Sequence, residues 1–254
     1  MHVLLTGASS GIGAGLAEVL GAAGHTLTLV ARREEKLRDV AEGIASPTHL
    51  LVCDLCDLDA VDSLIADAEA VGGPVDMLVN NAGMELLCPT AGAPVETAGR
   101  LLRLNLEVPL RLTSQVLPGM LERDRGFIVD IASVAAMGSQ PYGTWYAASK
   151  AGLSAAGRQI RWEIRHTNVH VLTVYPGPIH TEMGHRAVSS YKKDPTGGLL
   201  PWGTTEELGR RILRAIDRRQ GELIYPRLYT ATAWFPRVID FFGRFANIEL
   251  AEPK

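Results

Sequence analysis

The run TGASSGIG at residues 6–13 constrains this chain more than any other feature. It lies between a short apolar segment, residues 2–5, and a stretch with helical spacing, residues 13–23, in which Leu16, Val19 and Leu20 share one face. Gly7, Gly11 and Gly13 allow a tight turn and a close backbone approach to a pyrophosphate. The helix that follows offers unpaired N–H groups and the positive end of its dipole. Ser9, Ser10 and Ile12 belong to the same loop. A glycine triplet alone serves any sharp strand-to-helix turn. Its place between the first strand and the first helix is what points to a dinucleotide-binding unit.

Strand-like and helix-like segments alternate along the rest of the chain. Strands are predicted at residues 26–31, 50–53, 75–79, 127–131, 169–174 and 223–225, after the first at 2–5. Helices are predicted at 34–42, 58–70, 93–121, 146–165 and 206–216. Seven strands separated by helices imply right-handed crossovers, hence an α/β, Rossmann-type, doubly wound parallel sheet with helices on both faces. No linker or repeat interrupts the pattern, so residues 1–254 read as one domain. Residues 184–203 lack periodicity and read as a substrate loop. The tail, residues 229–254, concentrates Trp234, Phe235, Phe241, Phe242 and Phe245, which are expected to pack on the pocket rim or on a partner subunit.

Charge and composition narrow the partners. A net charge of −3 gives no general attraction to nucleic acid or to an anionic membrane. No apolar run reaches the roughly 20 residues of a spanning helix, and the start carries no basic leader, so a cytoplasmic protein is expected. Cys53, Cys56 and Cys88 are too few for a disulfide scaffold, and no second pair completes a metal site with Cys53 and Cys56.

The second strand ends Val30-Ala31-Arg32-Arg33. A site selective for the unphosphorylated cofactor carries Asp or Glu there, to hold the ribose hydroxyls. Arg32 and Arg33 suit a 2′-phosphate by charge and by forked geometry, which favours NADP(H). Alternatively, they only open the charged helix that follows.

Tyr146 and Lys150 are four residues apart on one helical face. A free tyrosine has a pKa of about 10, and a neighbouring ammonium is expected to lower it. Ser133 follows the strand at 127–131, at the sheet edge where open α/β folds bind ligands.

Taken together, TGASSGIG at 6–13, Asp54 after the third strand, NNAG at 80–83, Asn105, Ser133, YAASK at 146–150 and PGPIHTEM at 176–183 resemble the short-chain dehydrogenase/reductase family in its short, single-domain branch. The resemblance runs over roughly residues 1–225 in order and spacing. It implies that Tyr146 is the general acid in reduction and the base in oxidation. Lys150 would lower the tyrosine pKa and hold the nicotinamide ribose. Ser133 would hydrogen-bond the carbonyl oxygen, and Asn105 would position a water leading from Lys150 to solvent. Asp54 and Leu55 would bracket the adenine, and Asn81, Ala82 and Gly83 would lie along the adenosine side. Pro176, Gly177, Ile179 and Thr181 would face the nicotinamide. Other readings stand beside three of these: Asn105 as the residue fixing a helix kink, Asp54 as a turn or cap residue, and Thr181 as a helix N-cap. Asn80 reads as structural, tying strand ends together.

Met84, Val134, Ala135, Tyr142, Trp145, Gly177 and Met183 are expected to build a mostly apolar substrate pocket. That favours carbonyl reduction, or oxidation of a secondary alcohol, on an apolar or aromatic small molecule. No arginine or lysine stands plainly where a substrate carboxylate needs it, and His180 and His185 read as surface or packing residues. A catalytically weak NADP-binding sensor or scaffold is the alternative, but such a protein is expected to have lost Ser133, Tyr146 or Lys150. Apolar residues on more than one face of the helices at 101–120 and after Lys150 imply a homodimer or homotetramer, as in the resembling family.

Overall fold

The computed structural model describes residues 1–193, 198, 201–230 and 248–251. Seven parallel strands form one sheet: β1 (His2–Thr6), β2 (Thr26–Ala31), β3 (Thr48–Val52), β4 (Met77–Asn80), β5 (Gly126–Ile131), β6 (Val169–Pro176) and β7 (Glu222–Tyr225). Their spatial order is β3-β2-β1-β4-β5-β6-β7. The chain therefore works outward from β1 to one edge, then returns and works outward from β4 to the other. The loops leaving β1 and β4 diverge, and this opens a crevice at the carboxyl ends of the strands.

Side chains alternate between the two faces, as a buried parallel sheet requires. On β1, Val3 and Leu5 join the core beneath α1 (Gly11–Ala22), α2 (Glu34–Glu42) and α8 (Thr205–Asp217). Leu4 joins the opposite core beneath α3 (Leu58–Gly72), α5 (Val108–Glu122) and α6 (Thr144–Glu163). All three leucine and valine side chains are fully buried.

Two predicted segments come out differently. The single helix expected at 93–121 is α4 (Val95–Leu102), a π-helical turn at Arg103–Glu107, and α5. In a straight α-helix the Asn105 carbonyl would wait for a donor at Pro109, which has no N–H; the wider turn falls at that point. The loop expected at 184–203 is helical in its first part, as α7 (Glu182–Ser189). Thr181 caps it by accepting from the Gly184 N–H at 3.0 Å, and Glu182 pairs with Arg186 one turn on. Among the described residues no helix is long and apolar enough to cross a membrane. Trp234, Phe235, Phe241, Phe242 and Phe245 lie outside the described residues, as do 194–197, 199 and 200 in the expected loop.

Candidate active site

One cleft of about 1700 Å³ runs along the carboxyl edge of the sheet, from the β2–β3 side to α7. The glycine loop forms its wall. Gly7 has φ +68°, and a Cβ there would stand 2.7 Å from Ala82 Cα. A Cβ on Gly13 would stand 2.2 Å from the Gly7 oxygen. Only glycine fits either place. Ser10 is the N-cap of α1, but its side chain caps nothing, and the first turn of α1 carries no acidic residue. The helix start is thus left as an anion-accepting end open to the cleft, which also takes in Ser9, Gly11 and Ile12.

The loop is held from behind. Asn81 Nδ2 donates to the carbonyls of Thr6 (2.9 Å) and Gly7 (3.2 Å). Thr6 Oγ1 in turn accepts from the N–H groups of Asn81 (3.0 Å) and Ala82 (3.1 Å). The Asn81 amide therefore serves the loop, although Asn81, Ala82 and Gly83 also border the cleft. Asn80 is structural, as read: its amide donates to buried Asp130 at 2.8 Å and to Thr113 at 3.3 Å.

At the β2 end, Arg33 Nη2 donates to Ser9 Oγ and to Ser10 Oγ, each at 3.1 Å. Arg32 borders the same space, as do Asp54 and Leu55. Asp54 accepts from the Cys56 N–H at 3.1 Å, a turn contact, and pairs at 3.2 Å with Arg100, a cleft residue that the sequence reading missed. The N-cap of α3 is Asp57, not Asp54.

Ser133, Tyr146, Lys150 and Asn105 converge at the middle. Ser133 Oγ accepts from the Ala135 N–H at 3.1 Å, which leaves its own proton free to donate, and it lines the cleft together with Tyr146. Lys150 is almost wholly buried, its Nζ donating to the Ile131 carbonyl at 2.8 Å and lying 6.0 Å from the Tyr146 ring centre. Asn105 is fully buried. Its Oδ1 accepts from the Met84 N–H (2.9 Å), and its Nδ2 donates to the Met84 carbonyl (2.9 Å) and to Ser149 Oγ (3.1 Å). Asn105 stands in the π-helical turn, but its side chain bonds Met84 and Ser149 rather than the backbone of its own helix. A Cβ on Gly83 would lie 3.2 Å from Asn105 Oδ1 and 3.5 Å from Lys150 Nζ.

One electrostatic expectation is reversed. Tyr146 is not lowered but pushed up to about 12, first by burial and then by the negative charge of Glu85, with Ser133 pulling the other way. Burial also brings Lys150 down to about 8, against the pull of Asp130. Asp130 itself is raised to about 6 by burial, which the Asn80 hydrogen bond and the charges of Lys150 and Arg161 oppose.

Of the expected substrate residues, Met84, Val134, Ala135, Gly177 and Met183 line the cleft, along with Pro176, Ile179 and Thr181. Tyr142 and Trp145 do not. Tyr142 sits at φ +65°, and its hydroxyl donates to the Ile248 carbonyl at 3.3 Å, while Trp145 opens α6 outside the lining. Thr181 does act as the N-cap, and its methyl group also lies over Gly11. His180 and His185 stack on Trp202, at 5.0 and 4.7 Å between ring centres, a packing role as read. Glu85, Gln140, Arg186 and Tyr191 are cleft residues that the sequence reading missed. For Glu85 a signal was available: it lies two residues beyond NNAG, at the same sheet edge.

The model of the short chain dehydrogenase family matches residues 1–192. The chain belongs to the short-chain dehydrogenase family. It is 32% identical over 249 residues to a Drosophila melanogaster protein named dehydrogenase/reductase SDR family protein 7-like, covering 92% of this chain and 75% of that one. A short-chain dehydrogenase from Streptomyces avermitilis superposes with a TM-score of 0.83 at 28% identity, over 96% of this chain and 95% of its own. A serine dehydrogenase in closed form, complexed with NADP+, superposes with a TM-score of 0.79 at 27% identity, over 88% and 94%. This short-chain dehydrogenase is therefore an oxidoreductase of a family that uses nicotinamide cofactors on small-molecule substrates.

Proposed function

We propose that this short-chain dehydrogenase is an NADP(H)-dependent oxidoreductase that interconverts a carbonyl compound and its secondary alcohol. The observation that carries the cofactor choice is the Arg33 fork on Ser9 and Ser10, with Ala31 where an acidic residue would repel the 2′-phosphate. The uncapped start of α1 and the side-chain-free wall at Gly7 and Gly13 fit a pyrophosphate. The NADP+ complex of the serine dehydrogenase supports the same choice.

When bound, the nicotinamide supplies or accepts the hydride. This chain's residues handle the oxygen and its proton. The Ser133 hydroxyl, its lone pair engaged by Ala135, donates to the carbonyl oxygen and orients it. Tyr146 holds its proton at neutral pH and gives it to the same oxygen in reduction. In oxidation it takes that proton, a step that needs the positive charge of Lys150 close by. With one proton on the Ile131 carbonyl, Lys150 keeps others for the ribose hydroxyls. Asn105 fixes Met84 and so the floor beside Lys150.

Met84, Val134, Ala135 and Met183 favour an apolar or aromatic body for the substrate. The free thiols Cys53, Cys56 and Cys88 suit the cytoplasm. A screen of carbonyl compounds and alcohols that follows NADP(H) absorbance tests the proposal. Turnover with NADP(H) exceeding that with NAD(H) supports it; turnover with NAD(H) alone overturns the cofactor choice.

A further inference from the structure

We propose, resting on the oxidoreductase reading, that Glu85 sets the substrate class: carbonyl compounds bearing a hydrogen-bond donor, a hydroxyl or amino group, next to the reacting carbon. Three contacts fix its position. Gly83 lies against Lys150 and Asn105. Met84 is gripped at both its N–H and its carbonyl by Asn105. Glu85 follows directly, and its Oε1 accepts from Gln140 Nε2 at 3.1 Å. The carboxylate is thus held on the frame of the reacting centre, half-buried, and it borders the cleft together with Ser133 and Tyr146.

An ionised carboxylate has about four acceptor positions. Gln140 fills one, and among the described residues no cation pairs with Glu85 within 4 Å. Arg186, across the cleft on α7, attracts it from further away but is paired with Glu182. Burial raises the Glu85 carboxyl, and the charge of Glu85 raises the Tyr146 phenol in the same cleft. A hydrocarbon ketone filling this space would strip water from Glu85 and return nothing. A keto acid would set a second negative charge beside it. A hydroxyl or ammonium beside the carbonyl would replace the lost water with a charge-assisted hydrogen bond.

The test is a comparison of kcat/KM with NADPH across a matched set: a plain ketone, its α-hydroxy and α-amino derivatives, and the corresponding keto acid. The native enzyme should favour a donor-bearing member over the plain ketone by roughly ten- to a hundredfold. Glu85→Gln, isosteric and uncharged, should shrink that ratio to within a few-fold. Gln140→Met, which frees the carboxylate from its holder, should shrink it partway. Because the readout is a ratio, a general loss of folded enzyme cancels. A preference for the plain ketone or the keto acid, or a ratio that Glu85→Gln leaves intact, overturns the inference and leaves the oxidoreductase reading standing. No turnover of any member of the set, with turnover of other compounds in the wider carbonyl and alcohol screen, overturns this inference alone; no turnover in that screen either overturns the carbonyl-reductase reading and this inference with it.

Discussion

Arg33, at the start of α2, reaches back across the cleft mouth to Ser9, 3.1 Å from its hydroxyl, and touches Ser10 at the same distance. The two serines hold an exposed guanidinium at the cleft mouth, and if it receives a 2′-phosphate, as proposed, that reduces the ordering cost of binding. Replacing Arg32 and Arg33 by alanine should weaken NADPH roughly tenfold to a hundredfold and leave NADH nearly unchanged. Arg33→Lys keeps the charge but loses the fork, and should fall between. Titration of both cofactors checks this; equal losses would contradict the assignment.

Lys150 and Asp130 give a pH prediction with a definite sign. Lys150, lowered to about 8, carries its charge below that pH and loses it above. NADPH affinity should therefore be full below about pH 8 and decline as pH rises through it. Asp130 supports the ammonium, so Asp130→Asn should move the decline to lower pH. The Asp130 carboxyl is raised to about 6 in the folded chain. Its contribution to stability is thus greatest below its unfolded pKa, near 4, and is lost as pH rises through about 6. Asp130→Asn should flatten the dependence of Tm on pH in that window. Fluorescence titrations and melting curves across pH read both effects, and unshifted profiles would count against the pair.

Asn105→Ala should act on stability and turnover together. It leaves the Met84 N–H and carbonyl without their partner and takes a donor from Ser149. A buried unsatisfied group costs about 1–3 kcal/mol, so Tm should fall by several degrees. Turnover should drop as the floor beside Lys150 loosens. Unchanged melting and unchanged kcat would show that Asn105 only accommodates the π-helical turn.

Among the described residues one apolar face is left uncovered, and it gives a prediction about assembly. Leu102, Leu106 and Leu110 line a shallow groove at the α4–α5 junction, and Trp162 on α6 is 69% exposed. We expect these helices to meet their symmetry mates in a homodimer or homotetramer. Light scattering at micromolar concentration should give a multiple of 27.4 kDa, and Leu106→Glu should reduce it. A single 27.4 kDa species that persists with NADPH present would contradict the expectation.

Much of the fold was legible because local patterns and sheet burial agree. The α2 segment was read at its observed bounds, Glu34–Glu42, and the β-formers TLTLVA at 26–31 are β2. A break near Asn105 was legible, since Pro109 lacks the N–H that the Asn105 carbonyl would need, but the grip of Asn105 on Met84, 21 residues earlier, exists only in the fold. The start of α7 was legible in the reading of Thr181 as an N-cap, but Gly184 breaks the periodicity that follows, so residues 184–203 read as a loop. Tyr142 and Trp145 stand close to Tyr146 in sequence, but a positive φ turns one away and helical rotation the other. The direction of the Tyr146 pKa was misread for a similar reason. Lys150 is visible at i+4 in the sequence, whereas burial and the approach of Glu85, 61 residues earlier, exist only in three dimensions.

Tyr146→Phe tests the central claim most directly, because it removes one oxygen atom and keeps the ring. NADPH should bind the variant with affinity close to that of the native enzyme. The rate of hydride transfer to a carbonyl substrate, followed in a single turnover by loss of NADPH absorbance, should fall by roughly 10²–10⁴. A variant that binds NADPH and reduces the substrate at near-native rate would show that Tyr146 does not supply the proton, and the mechanism built on it would be wrong.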